Sequence, residues 1–183
     1  VLTPLIYDFF KRSKVQKSGF NMSFRFLLPT EMYKFFGIKN AQKTGIRIVK
    51  WSEDAVSLMR REAIEAVGGY DERFFMYGQM TDLAYRLNKI GYILAIDNSA
   101  KAYHIGKGSS GEGFSEFATY HKLRNWILFH RKHFKGFWLY YLYLWSSIVA
   151  FGYTFLFVSR GRLDLIKPIF KGLQDGFSFR IKG

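Results

Sequence analysis

No cysteine occurs among the 183 residues. That excludes a disulfide framework, a thiolate metal site and catalysis by a cysteine nucleophile, and it leaves the redox compartment open. Proline is scarce, at 3 residues, and no serine- or glycine-rich linker, internal repeat or low-complexity tract divides the chain. Acidic side chains are few. The 14 Asp and Glu against 28 Lys and Arg leave a formal charge of +14. Such a surplus selects an anionic partner: phospholipid headgroups, nucleic acid or a phosphorylated substrate. The first residue is Val1, and no basic-then-apolar secretory leader follows it, so the chain reads as a fragment or as the product of an unusual start.

Aromatic residues are abundant instead. The 20 Phe, 12 Tyr and 4 Trp bring aromatics to 20%, and hydrophobic residues reach 49%, high for a domain surrounded only by water. From Gly136 to Ser159 there is no charged residue. A helix of that length, at about 1.5 Å per residue, matches a hydrocarbon core of roughly 30 Å. Basic residues flank it on both sides (Arg131, Lys132 and Lys135 before; Arg160, Arg162, Lys167 and Lys171 after), so charge asymmetry assigns no orientation. Tyr140, Tyr141, Tyr143 and Trp145 crowd its first half, as aromatic rings do at a bilayer interface. A spanning helix and one lying in the headgroup layer both fit.

Elsewhere the pattern alternates strands and helices, which indicates an α/β class. Residues 4–16 (PLIYDFFKRSKVQ) read as a short helix, and TEMYKFFGIKN as a second one capped at Thr30 and stopped near Gly37. GIRIVKW (45–51) and AVSLMR (55–60) read as strands, and REAIEAVGG as a helix stopped by Gly68 and Gly69. TDLAYRLNKIG (81–91) places Leu83, Leu87 and Ile90 at helical spacing. YILAID (92–97) and KAYHI (101–105) read as strands around a turn at Asn98 and Ser99. A glycine-serine loop, GKGSSGEG, then precedes a long basic helix, FSEFATYHKLRNWILFHRKHF.

Residues 60–92, RREAIEAVGGYDERFFMYGQMTDLAYRLNKIGY, carry the most distinctive motif. Ala102-Tyr103-His104, the glycine-serine loop, Tyr120, Arg124-Asn125, Lys167-Pro168 and Gly172-Leu173-x-Asp175-Gly176 follow in order. Together these resemble the signature region of family-2 glycosyltransferases, closest in style to the bacterial and archaeal rhamnosyltransferase-like members, over residues 45–183. The resemblance implies the acceptor-side part of a GT-A mixed α/β sheet with helices, plus the long apolar C-terminal helix. It implies an acceptor-side half at 45–135, a spanning or interfacial helix at 136–159, a basic tail at 160–183 and a poorly assigned aromatic and basic helical segment at 1–44. The chemistry implied is a single inverting displacement. An acceptor hydroxyl attacks, a carboxylate takes its proton, and a divalent metal, Mg or Mn, steadies the departing diphosphate. The partners implied are a nucleotide-sugar, a glycan or lipid-linked acceptor, an anionic membrane surface and a donor-half chain, with the catalytic side cytoplasmic.

Residue by residue, the resemblance places Tyr77, Gly78, Gln79 and Met80 beside the acceptor, with Phe75 nearby, and Arg124 near a phosphate. His104 corresponds to the residue that completes the metal shell. Gln79 and Met80 stand where the family has Glu and its catalytic Asp, and neither an amide nor a thioether accepts a proton near neutral pH. Asp82 is the nearest carboxylate. It reads either as a substitute base or as a first-turn residue favoured by the helix dipole and paired with Arg86 four positions on. Glu53 and Asp54 occupy a turn where the family has a small-residue step, and no Asp-x-Asp motif precedes residue 45. Lys107 and the loop amides could meet a phosphate. Three functions remain from this reading: a membrane-associated glycosyltransferase, a catalytically inactive binding or scaffold protein derived from one, and a nucleic-acid binder. The last shows no recognition motif and leaves the apolar helix unexplained.

Overall fold

A computed structural model describes residues 1–17, 19–21, 45–52, 55–105 and 114–180. The helix expected at Thr30–Gly37, the turn at Glu53 and Asp54, and the glycine-serine loop with Lys107 lie outside the described residues. The fold is mixed α/β, as the alternation of patterns predicts, and the chain divides into two compact units. The first is Val1–Phe75 with Gln79–Gly106, and the second is Met76–Gly78 with Lys107–Gly183.

The first unit holds a four-stranded sheet of order β2-β1-β4-β3, built from β1 (Leu2–Asp8), β2 (Val15–Lys17), β3 (Ile46–Val49) and β4 (Leu94–His104). β1 runs parallel to β4, while β2 and β3 are antiparallel to their neighbours. Residues 4–16 are therefore strand and hairpin where the sequence suggested a helix. Leu5 and Ile6 are buried, and what orders them is β4, some ninety residues away, a partner that local pattern does not reveal. Leu94, Ala95 and Ile96 are buried in succession, as in a strand covered on both faces.

The turn expected at Asn98 and Ser99 is a bulge inside one continuous strand. Pro4 pairs with Asp97 and Leu5 with Lys101, so β4 carries extra residues there. The Asp97 carboxylate accepts from the Ser99 amide at 2.9 Å and closes the bulge. Pro4, which cannot donate to a ladder, sits at this break in the pairing. The expected strand at 55–60 reduces to a single antiparallel bridge between Leu58 and Leu2. Helix α1 (Arg61–Ala66) ends at Gly68 and Gly69, whose positive φ of 72° and 75° allows their amides to reach back to Glu65 and Ile64. Helix α2 (Gln79–Lys89) buries Met80, Leu83, Ala84 and Leu87, and its Thr81 hydroxyl accepts from the Trp51 indole at 3.1 Å.

The second unit is helical. Ser115 caps α3 (Glu116–His133), accepting from the Ala118 amide at 3.1 Å, and the last turn carries His130, Arg131, Lys132 and His133, which complement the helix dipole. Helix α4 (Phe137–Ser159) occupies the uncharged run, and α5 (Ile166–Ser178) follows a short 3₁₀ turn. The stretch 160–183 is thus more than a basic tail. Pro168 is tolerated in the first turn of α5, and Ile169, Gly172, Leu173 and Gly176 form its buried stripe. The core joins Leu123, Trp126 and Ile127 of α3 to Leu142, Val149, Ala150 and Phe157 of α4 and to Leu165, Ile169 and Leu173.

Two glycines let α5 approach α3 closely. A Cβ at Gly172 would lie 2.7 Å from the Tyr120 carbonyl oxygen, and one at Gly176 would lie 2.7 Å from Ile127 Cβ and 2.8 Å from the Arg124 carbonyl oxygen. Polar contacts fix the same seam. The Tyr120 hydroxyl donates to Asp175 at 2.7 Å, Lys171 donates to the same carboxylate at 3.0 Å, and Arg131 donates to the carbonyls of Gly176 and Phe179. The Tyr120 hydroxyl and then Lys171 hold the Asp175 carboxyl below the ordinary carboxylate range.

Gly176→Ala is expected to cost about 1–3 kcal/mol, since backbone on α3 cannot yield, and urea unfolding measures it. Asp175 is a group whose value is depressed by folding. Its contribution is complete above the usual carboxylate range and disappears as pH falls through the folded value. Unfolding midpoints followed by circular dichroism should therefore fall more steeply in acid for the parent protein than for Asp175→Asn.

Candidate functional site

The residues singled out in the sequence divide between the units. Gln79, Met80, Asp82 and His104 belong to the first, and Tyr77, Gly78 and Arg124 to the second.

In the first unit, Asp82 is fully buried and its Oδ2 accepts from Arg86 Nε at 2.7 Å. Arg86 also donates to the carbonyls of Val67 and Gly69, the latter at 2.7 Å. One guanidinium thus ties the first turn of α2 to the glycine stop of α1. The i, i+4 pair is the structural role that the spacing suggests for Asp82, and the two carbonyl contacts are an addition that spacing does not disclose. Just beyond, Asp71 accepts from the Arg73 backbone amide at 3.1 Å and binds its guanidinium at 2.6 Å. That hydrogen bonding raises the Arg73 pKa, with a further contribution from the charge of Asp82. Met80 is buried in the core and Gln79 is half-buried.

His104 ends β4 on the exposed side, beside Asp8 in the parallel register. Its Nδ1 lies 3.4 Å from Gln16 Oε1. The Asp8 carboxylate accepts from the amides of Phe10 and Lys11 at 2.9 and 2.8 Å and from Gln16 Nε2 at 3.0 Å. The Lys11 amide foremost, then the Gln16 side chain, depress its pKa. Among the described residues no three His, Asp or Glu side chains come together. One imidazole and one carboxylate already engaged by amides do not by themselves hold a divalent ion.

In the second unit, Tyr77 adopts a positive φ of 62° and Gly78 one of 85°. A non-glycine residue in that region is strained and needs support from its surroundings. Asn125, buried on α3, supplies it: its Nδ2 donates to the Met76 and Tyr77 carbonyls, both at 2.7 Å. Asn125 Oδ1 in turn accepts from Arg124 Nη1 at 2.6 Å. The Arg124 guanidinium stacks 4.7 Å from the Phe179 ring, and Lys122 sits 5.0 Å from the Tyr77 ring. Tyr77 and Arg124 are therefore brought together through Asn125. The sequence offered the Arg124-Asn125 pair as a motif, with no sign of its target forty-eight residues earlier.

Comparison with known proteins agrees with a glycosyltransferase relationship. No family model matches the chain. Two curated relatives are 40% identical to it over 77 residues, which is 42% of this chain and 25% of theirs. Both are N-acetylglucosaminyl-diphospho-decaprenol L-rhamnosyltransferases of Mycobacterium tuberculosis, from strains CDC 1551 / Oshkosh and ATCC 25618 / H37Rv. The match spans a quarter of the length of these relatives, and over it the chain is glycosyltransferase-like.

Arg86→Met removes the guanidinium hydrogen-bonded to the buried Asp82 carboxylate and should cost about 3–5 kcal/mol. Asp82→Asn, which removes the charge itself, is expected to cost less. The order of the two denaturation midpoints checks the assignment.

Proposed function

We propose that this chain is the acceptor-side part of a membrane-associated glycosyltransferase of the family-2, GT-A type, moving a sugar from a nucleotide-sugar to a lipid-linked glycan. The observation that carries this reading is the 40% identity to enzymes named for a diphospho-decaprenol acceptor. A 23-residue helix long and apolar enough to cross a membrane supports it, as does the charge of +14 toward an anionic bilayer surface. In the reaction the bond from the anomeric carbon to the diphosphate oxygen breaks, and a bond from that carbon to the acceptor oxygen forms. The acceptor proton passes to a base and the nucleoside diphosphate leaves. Tyr77 and Gly78, in the turn that Asn125 supports, would serve the acceptor, with Arg124 beside them. A divalent metal and the nucleotide would be held by a donor half carried on a partner chain or segment, with His104 contributing to the shell once that half is present. The catalytic side faces the cytoplasm, where nucleotide-sugars are made.

A second reading is a catalytically inactive derivative that keeps acceptor and membrane binding. Gln79 and Met80 favour it, and so does the burial of Asp82 against Arg86, which withholds that carboxylate from an incoming hydroxyl. To act as base, Asp82 would have to leave this pair.

Incubation of the chain together with a donor half, labelled nucleotide-sugars and polyprenyl-diphosphate-linked N-acetylglucosamine separates the readings. The enzyme moves label into the solvent-extractable lipid. The derivative retains the lipid-linked acceptor and transfers nothing. Neither transfer nor acceptor retention would end both.

A further inference from the structure

Helix α4 is apolar on every side, yet its two faces have different surroundings. Leu142, Ser146, Val149, Ala150 and Phe157 are buried, and they pack along its length against α3 and α5. On the opposite face Phe137, Leu144, Ile148, Phe151, Phe155 and Val158 are exposed, Phe151 at 76% and Phe155 at 70%. At about 100° of rotation per residue these six fall in a sector of roughly 80°, a continuous stripe from one end of the helix to the other.

We infer that α4 lies in the plane of the membrane interface and presents this stripe to an anionic bilayer while its other face stays on the protein. This inference rests on the membrane association proposed above. A spanning α4 would carry its packed partners with it. Those partners bear Lys122, Arg124 and Arg131 on α3 and Lys167, Lys171 and Asp175 on α5, and charged groups are expelled from hydrocarbon. Lying flat demands nothing of them.

The flanking charge points the same way. Lys135 before α4 and Arg160 after it are exposed, and α4 itself holds no acidic residue. A flat helix offers both cationic ends to the same layer of anionic headgroups, whereas a spanning one sends them to opposite sides. The same charges disfavour a second copy as the occupant, since antiparallel stripes would set one cationic end against the other.

The natural lack of cysteine makes the test direct. Phe137→Cys, Ile148→Cys and Val158→Cys are exposed positions at the start, middle and end of the stripe. Each is spin-labelled in the full chain and bound to vesicles of phosphatidylcholine with phosphatidylglycerol. Lying flat, all three labels sit at one shallow depth, about 5–10 Å below the headgroups. Phe151→Ser with Phe155→Ser should weaken vesicle binding by about tenfold or more, with the circular dichroism spectrum unchanged. An Ile148 label near the midplane with the other two near opposite surfaces would overturn the in-plane placement and leave membrane association standing. Absence of vesicle binding by the parent protein would overturn both. Labels immobilised without lipid, in step with protein concentration, would assign the stripe to a second copy. None of these readouts depends on sugar transfer, so loss of the enzymatic reading would leave them interpretable.

Discussion

A buried carboxylate tolerates its surroundings only with a cation and enough hydrogen bonds beside it, and the first unit is organised around that requirement. Asp82 has lost all contact with water, so Arg86 must be present and correctly placed. Once placed, the same guanidinium reaches the carbonyls that α1 leaves without partners at its glycine stop. One electrostatic obligation thus sets the relation between two helices. It also fixes the start of the segment that runs through Tyr70, Asp71 and Phe74. Asp82 is, through Arg86, the structural anchor of this unit.

The second unit meets its demands by closeness. Gly172 and Gly176 remove the side chains that would separate α5 from α3, and the shortened distance lets Tyr120, Asp175, Lys171 and Arg131 complete a polar seam beside the apolar core. The seam also steadies α3, the helix from which Asn125 supports the Tyr77 turn. With α3 and α5 held together, α4 packs one face against them and leaves the other outward. The acceptor-binding proposal and the lipid-facing proposal therefore draw on one helical scaffold. That is a sensible arrangement for a protein whose proposed acceptor is itself anchored in a bilayer.

What could be read in advance depended on how far apart the interacting residues lie. Helix α4 announced itself as an uncharged run, α1 by its double glycine, and the Asp82–Arg86 pair by four-residue spacing. All three are local signals. Strand β1 is hidden from local pattern because aromatic and basic residues after Ile6 obscure its alternation, and because its partner β4 is remote in sequence. The bulge at Asn98 to Ala100 was legible as a polar interruption, though whether the chain turns there or continues is decided by pairing with β1. At the site, the residue types at Tyr77, Gln79 and Met80 were visible by resemblance, while the role of Asn125 depends on a contact across forty-eight positions. Local chemistry writes local structure; long-range hydrogen bonds leave no periodic trace.

Strand β3 presents Ile46 and Ile48 to solvent at the border of the described sheet, and at the other border β2 is just as brief. Among the described residues the ladder there is only four residues long, its Ile48 carbonyl already accepts from Asn21, and Arg47 is set between the two isoleucines, so a neighbouring molecule would find little to extend. Fibril-like growth through the sheet is thereby discouraged in a chain that is nearly half apolar. The association proposed for α4 would use a helical surface instead, from which lipid can be shed and regained, whereas association through β-structure tends to be irreversible.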